Sequence, residues 1–188
     1  MSYSQSKSYH KSKEYLAQEK QIIVAAKNNP DNFRELYNVY FEPILQYVYA
    51  RMDDKQMAID VTQQAFYKAM TNLHKYEDRG LPFSSWLYRI ASNEMNDFFR
   101  QNSKHRTVNL TDDWVNILSD ELEDSEKTDR LTRLKQVIKM LAEAEFRLIE
   151  MRFFDKMPFQ EIAEILDISE NNAKVKTYRI LDKMKANF

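Results

Sequence analysis

Phe159-Gln-Glu-Ile-Ala-Glu-Ile-Leu-Asp-Ile-Ser-Glu-Asn-Asn-Ala-Lys-Val-Lys-Thr-Tyr-Arg179 reads as a helix, a short turn and a second helix. Ala163 is small where two helices must approach closely, and Ile162 and Leu166 are expected to face inward. Ile168 plugs the turn and Ser169 can cap the helix that follows. The turn position most often filled by glycine holds Asp167, a residue type that tolerates the left-handed conformation better than most. At about 100° per residue, Ala173, Thr177, Ile180, Leu181 and Met184 share one face of the second helix. Asn171, Asn172, Val175, Tyr178 and Arg179 lie opposite. That outer face suits a DNA groove: asparagine can bond adenine edges, arginine can pair with guanine, and Val175 can touch a thymine methyl. Lys174, Lys176 and Lys183 flank it at phosphate reach. The same pattern also fits a helical hairpin whose outer face is merely solvated.

Outward from this motif, the chain reads as nearly all helix. It has 188 residues with one glycine, Gly80, and four prolines, too few turn formers for a sheet or a phosphate-cradling loop. Apolar residues recur at helical spacing over 15–28, 32–52, 54–73 and 83–101, with Asp31 placed to cap the second segment and 75–82 breaking the third from the fourth. Helical pattern resumes near Arg130 and continues over 146–154, 159–166 and 170–186. The expected fold is all-α: two small helical domains joined by an acidic linker, the second containing the helix-turn-helix. The expected divisions are a flexible tail over 1–14, a first domain over 15–106, a linker over 107–129 and a second domain over 130–188.

Cysteine is absent, which excludes disulfides, thiolate metal sites and a cysteine nucleophile. The longest purely apolar run, residues 22–26, is far short of the roughly 20 residues that span a bilayer, so a soluble cytoplasmic protein without membrane insertion is expected. His10, His74 and His105 are isolated, and no catalytic or metal-ligand pattern is recognisable. No enzyme activity, metal or cofactor is expected. The formal net charge of −1 conceals an uneven distribution. Residues 111–129 hold eight acids against one base, whereas 170–188 hold five bases against two acids. An acidic middle masks a basic end, and weak DNA binding by the isolated chain follows.

Leu141-Ala-Glu-Ala-Glu-Phe-Arg-Leu-Ile-Glu-Met-Arg-Phe-Phe154, followed by Met157-Pro-Phe-Gln-Glu-Ile-Ala-Glu-Ile-Leu166, resembles the second conserved domain of extracytoplasmic-function (ECF) sigma factors of the sigma-70 family. Asp60-Val-Thr-Gln-Gln-Ala-Phe66 and Phe83-Ser-Ser-Trp-Leu-Tyr-Arg-Ile-Ala-Ser-Asn93, continuing to Asp97 and Arg100, resemble the first. The two matches cover roughly residues 33–106 and 131–186. The resemblance implies that core RNA polymerase is bound by Asp60, Gln63, Gln64 and Phe66, although the position of Gln64 is commonly glutamate in the family. It implies that Lys75, Tyr76, Arg79, Trp86, Arg89, Asn93, Asn96 and Arg100 recognise and melt the −10 promoter element. An aromatic with arginines and amides on one helix face suits single-stranded DNA. On the same face-by-face reading, Leu87, Ile90, Ala91, Met95 and Phe98 turn inward. Ser169, Asn171, Asn172, Lys174, Val175, Lys176, Tyr178, Arg179 and Lys183 would then serve the −35 element. In the family an acidic linker can occupy a basic path meant for RNA, and the same segment also fits a solvated tether. An anti-sigma factor is a further partner the resemblance implies. The rival reading is a stand-alone helix-turn-helix regulator with an N-terminal sensing or dimerisation bundle.

Overall fold

A computed structural model describes residues 13–52, 54–102, 134, 136–138 and 140–187. The chain divides into two compact units, Met1–Val108 and Asn109–Phe188. All regular elements among the described residues are helical. Most of the expected tail, and the whole of the expected linker over 107–129, lie outside the described residues.

The first unit is built from α1 (Lys13–Asn28), α2 (Phe33–Tyr49), α3 (Lys55–Asn72) and α4 (Phe83–Asn102). α1 begins two residues earlier than the sequence pattern suggests, with Glu14 in its first turn, where a negative charge favours the helix dipole. Asp54 opens α3 by accepting hydrogen bonds from the backbone N–H of Gln56 at 2.7 Å and Met57 at 3.0 Å. Asp31 does not cap α2 as expected. It sits inside a 3-10 turn, Pro30–Asn32, whose own cap is the Asn29 side chain, accepting from the Asp31 N–H at 3.0 Å. A proline at the first helical position shifted the cap upstream.

α3 packs against both α2 and α4. Its buried stripe of Ala58, Thr62, Ala65 and Ala69 is made of small residues, which lets neighbouring backbones approach. The buried Thr62 hydroxyl is satisfied by donating to the Ala58 carbonyl at 2.7 Å. Leu36, Ile44, Val48, Phe83, Leu87, Ala91 and Met95 fill the remaining core. On α4 the inward face is rotated from the expected one. Ser85, Tyr88, Ser92 and Glu94 are buried, while Ile90 and Phe98 are only half-buried. Glu94 is tolerated because Lys68 of α3 reaches it at 2.6 Å.

One buried carboxylate ties three helices together. Glu19 of α1 accepts from the Tyr40 hydroxyl of α2 and, at 2.8 Å, from the Phe83 N–H that opens α4. Tyr40 also shares a hydrogen bond of 2.8 Å with the Tyr15 hydroxyl. Burial, with the Glu19 hydrogen bond second, pushes the Tyr40 hydroxyl well above the ordinary tyrosine range, so it stays protonated and able to donate.

The second unit contains α5 (Glu143–Ile149), α6 (Phe159–Leu166) and α7 (Glu170–Lys185); Leu134 and residues 136–138 are helical as well. α5 runs on as a π-helical turn, Glu150–Phe154, a widening that apolar periodicity does not reveal. Leu148, Ile149, Met151, Met157, Ile162 and Met184 form its core. Lys156 and Asp167 both take left-handed conformations, at φ 54° and 57°. Asp167 is the residue at which α6 stops, and the Ile168 N–H returns to the Ala163 carbonyl at 3.0 Å.

Replacing Glu19 by alanine leaves the Phe83 N–H and the Tyr40 hydroxyl without their buried acceptor, a loss of about 3 kcal/mol. Urea unfolding followed by Trp86 fluorescence in a Trp114→Phe background should show a clearly lowered midpoint. An unchanged midpoint would mean that other groups replace the carboxylate.

Candidate nucleic-acid and polymerase interface

The strongest candidate surface in the second unit is the outer face of α7. Ser169 caps the helix, its hydroxyl accepting from the Asn172 N–H at 3.2 Å. Ala173, Thr177, Ile180, Leu181 and Met184 are buried, and the Thr177 hydroxyl donates to the Ala173 carbonyl at 2.9 Å. Asn171, Asn172, Lys174, Val175, Lys176, Tyr178 and Arg179 are all exposed. Tyr178 is 60 % exposed. Its ring centroid lies 6.5 Å from that of Phe159. The helix thus offers two amides, two lysines, an arginine and an apolar side chain on one accessible face, the donor and acceptor set that reads base edges in a major groove.

Two cations are less available than the sequence suggests. Lys183 forms a 2.7 Å ion pair with Glu145 of α5. Lys174 pairs with Glu170 one turn earlier at 2.6 Å. Glu145 also accepts from the Ala142 N–H at 2.8 Å, closing the start of α5. Lys183 is therefore a tie between α7 and α5. The turn also departs from expectation. Ile165, not Leu166, is fully buried, because Leu166 and Ile168 line an open cavity of about 390 Å³ with Leu148, Arg147 and Ile180.

In the first unit the exposed stripe of α3 carries Asp60, Gln63 and Gln64, with Gln56 donating to Asp60 at 3.1 Å. Phe66 is not on that surface. At 3 % exposure it is a core residue, enclosed by the rings of Phe33, Tyr37 and Phe41 at centroid distances of 6.4, 5.1 and 5.7 Å. It positions the α3 stripe from beneath and presents no contact area of its own. The stripe continues instead into Tyr67 and Met70, both exposed apolar residues that periodicity alone did not single out. Helical spacing from Gln63 was the available signal.

The third candidate surface is the 75–82 segment with the outer side of α4. Asn93 and Arg100 are exposed, and Trp86, Arg89 and Asn96 are half-buried. Lys75 and Arg79 are exposed on the preceding segment. Lys75 donates to the Asn72 side chain at 3.0 Å. Arg79 lies 3.6 Å from Glu77, and Arg100 pairs with Asp97 at 2.8 Å. Tyr76 is buried, contrary to expectation: it forms a triangle of rings with Phe83 and Trp86, at centroid distances of 5.2 and 5.3 Å. Its apolar ring has more to gain from this cluster than from water. Trp86 is the partly open edge of the same cluster, 5.4 Å from Phe83.

The residues of all three surfaces fall within segments that match known families. The Sigma-70 region 2 family matches residues 36–105, and the Sigma-70, region 4 family matches residues 131–184. The chain belongs to the ECF branch of the sigma-70 family. Among its relatives, the ECF RNA polymerase sigma factor SigW of Bacillus subtilis is 28 % identical over 171 residues, covering 85 % of this chain and 90 % of that protein. The B. subtilis RNA polymerase sigma factor SigV is 29 % identical, covering 75 % of this chain and 80 % of its own. Among solved structures, CnrH in complex with the cytosolic domain of CnrY shares the fold, with a TM-score of 0.57 at 22 % identity, covering 89 % of this chain and 95 % of that one. As a sigma factor the protein directs transcription initiation, and the stand-alone regulator reading is not favoured. No helix among the described residues is long and apolar enough to cross a membrane.

The hydrogen bond from Lys183, with the Ala142 N–H second, holds the Glu145 carboxyl below its ordinary range. A depressed acid stabilises the fold above its unfolded value and loses that contribution as pH falls through the lowered folded value. A pH titration of the Ala142 amide proton by NMR should therefore show a midpoint below the ordinary glutamate value, and Lys183→Ala should raise it.

Proposed function

We propose that this sigma factor uses three separate surfaces: the α3 stripe of Asp60, Gln63, Gln64, Tyr67 and Met70 for core RNA polymerase, the 75–82 segment and outer α4 for the opened −10 element, and the outer face of α7 for the −35 duplex. The observation that carries the reading is the clean partition of α7. Every residue needed for packing is buried and every residue suited to base edges is exposed. On α4, Arg89, Asn93, Asn96 and Arg100 give charge and amide contacts to a strand whose bases stack on an aromatic edge such as Trp86. The polymerase supplies the chemistry of RNA synthesis, and the chain supplies position and strand separation.

The same reading places the protein in the cytoplasm, where the polymerase works. It also gives the acidic 111–129 segment a use: its excess of negative charge disfavours DNA binding by the free chain until polymerase adds its own basic surface. An anti-sigma factor is the regulatory partner this reading proposes, since the structurally similar sigma factor RpoE of Bartonella quintana was solved in complex with the anti-sigma factor NepR.

The experiment is reconstitution with bacterial core polymerase and transcription from a random promoter library. Start sites preceded by two spaced elements are expected. Asp60→Ala combined with Tyr67→Ala should lose co-elution with core while melting at the wild-type temperature. Arg179→Ala should keep co-elution and weaken dependence on the upstream element, by about 1–3 kcal/mol at the base it reads. A protein that ignores core polymerase but binds duplex DNA as a dimer would overturn the proposal.

A further inference from the structure

The region 2 match begins at residue 36, so α1 lies outside it, yet three α1 side chains hold the 76–83 segment at successive points. Lys27 donates to the Tyr76 carbonyl at 2.6 Å and lies 5.7 Å from the centre of that ring. Lys20 pairs with Asp78 at 3.1 Å. Glu19 accepts from the Phe83 N–H at 2.8 Å, where the segment becomes α4. Asp78 in turn accepts from the Gly80 N–H at 2.9 Å, and Gly80 adopts φ +73°, a conformation that a side chain would strain. The Lys20 pair therefore grips the turn at the residue that shapes it.

We propose that α1 is a positioning splint for the strand-capturing segment: Lys20 and Lys27 hold residues 76–80 in the shape that meets opened DNA, and Glu19 fixes the far end. The inference rests on the reading that 75–82 and outer α4 take the −10 strand. Its physical basis is preorganisation. A segment already held in its binding shape loses less conformational freedom on meeting its ligand, and a surface that must accept an unstacked base gains affinity from that saving. Lys20 is 65 % exposed and Lys27 is exposed, so neither is needed for the core. Their contribution falls on the shape of the segment and leaves the folding of the unit unchanged. Lys20, Lys27 and Glu19 are positioning residues in this scheme and need not touch DNA.

The test separates holding the turn from binding phosphate. Holoenzymes carrying wild-type chain, Lys20→Met, Asp78→Asn, which keeps an acceptor for the Gly80 N–H, and the double variant are compared for binding a labelled single-stranded oligonucleotide of the −10 sequence and a scrambled control. Thermal melting and co-elution with core polymerase are recorded alongside. Each single change should weaken matched binding about fivefold, the upper range for one exposed pair, with melting and co-elution unchanged. The double variant should bind no more than about twofold more weakly than either single variant, as a coupled pair requires. Lys27→Met should weaken binding in the same way and Lys27→Arg should recover it. Single variants that bind like wild type, or a further loss of about fivefold from Lys20→Met in the Asp78→Asn background, would overturn the proposal, the second because Lys20 would then be acting on DNA directly. A wild-type holoenzyme that binds matched and scrambled strands equally would instead remove the reading of the segment itself.

Discussion

The Glu19 carboxylate is the constraint on which the first unit's geometry depends. It is a buried charge, 5 % exposed, and burial of a carboxylate is unfavourable unless its oxygens are occupied. Here one oxygen takes the Tyr40 hydroxyl and the other takes the backbone N–H that begins α4. The second acceptor matters more for function, because the positive end of a helix dipole stabilises a negative charge there. Satisfying that charge sets where α4 starts relative to α1 and α2. The direction of the Trp86 to Arg100 face follows from it.

Around this point the aromatic residues divide into two clusters with different consequences. Phe33, Tyr37, Phe41 and Phe66 close the gap between α2 and α3, so the polar stripe of α3 stands on a rigid base. Tyr76, Phe83 and Trp86 close the joint between the 73–82 segment and α4. In each cluster a ring that resembles a contact residue in sequence is a support residue in space. Phe66 and Tyr76 lie beneath the surfaces they were expected to form, and the residues beside them, Tyr67 and Trp86, reach solvent.

The second unit solves a different problem, that of exposing a basic face without leaving it loose. Packing of Ala173, Thr177, Ile180, Leu181 and Met184 fixes the rotation of α7, and the Lys183 pair with Glu145 ties its last turns to α5. Since Glu145 also closes the start of α5, a single carboxylate couples both helices. The left-handed Asp167 lets the chain reverse between α6 and α7 without glycine, consistent with the tolerance of aspartate for that conformation.

Much of this was legible in one dimension. Scarce glycine and proline, helical apolar spacing and the 159–179 motif determined an all-α chain with a helix-turn-helix, because a helix makes its backbone hydrogen bonds locally and its buried face repeats at a fixed interval. The inner and outer faces of α7 could be read for the same reason, since its packing partner lies on one side only. Tertiary structure decided what local periodicity cannot carry. The rotation of α4 depended on Glu94 finding Lys68. The burial of Phe66 and Tyr76 depended on rings contributed by other parts of the chain. The role of α1 depended on Glu19, Lys20 and Lys27 meeting residues some fifty to sixty positions away. Those are contacts between distant segments, and their energies exist only once the chain has folded.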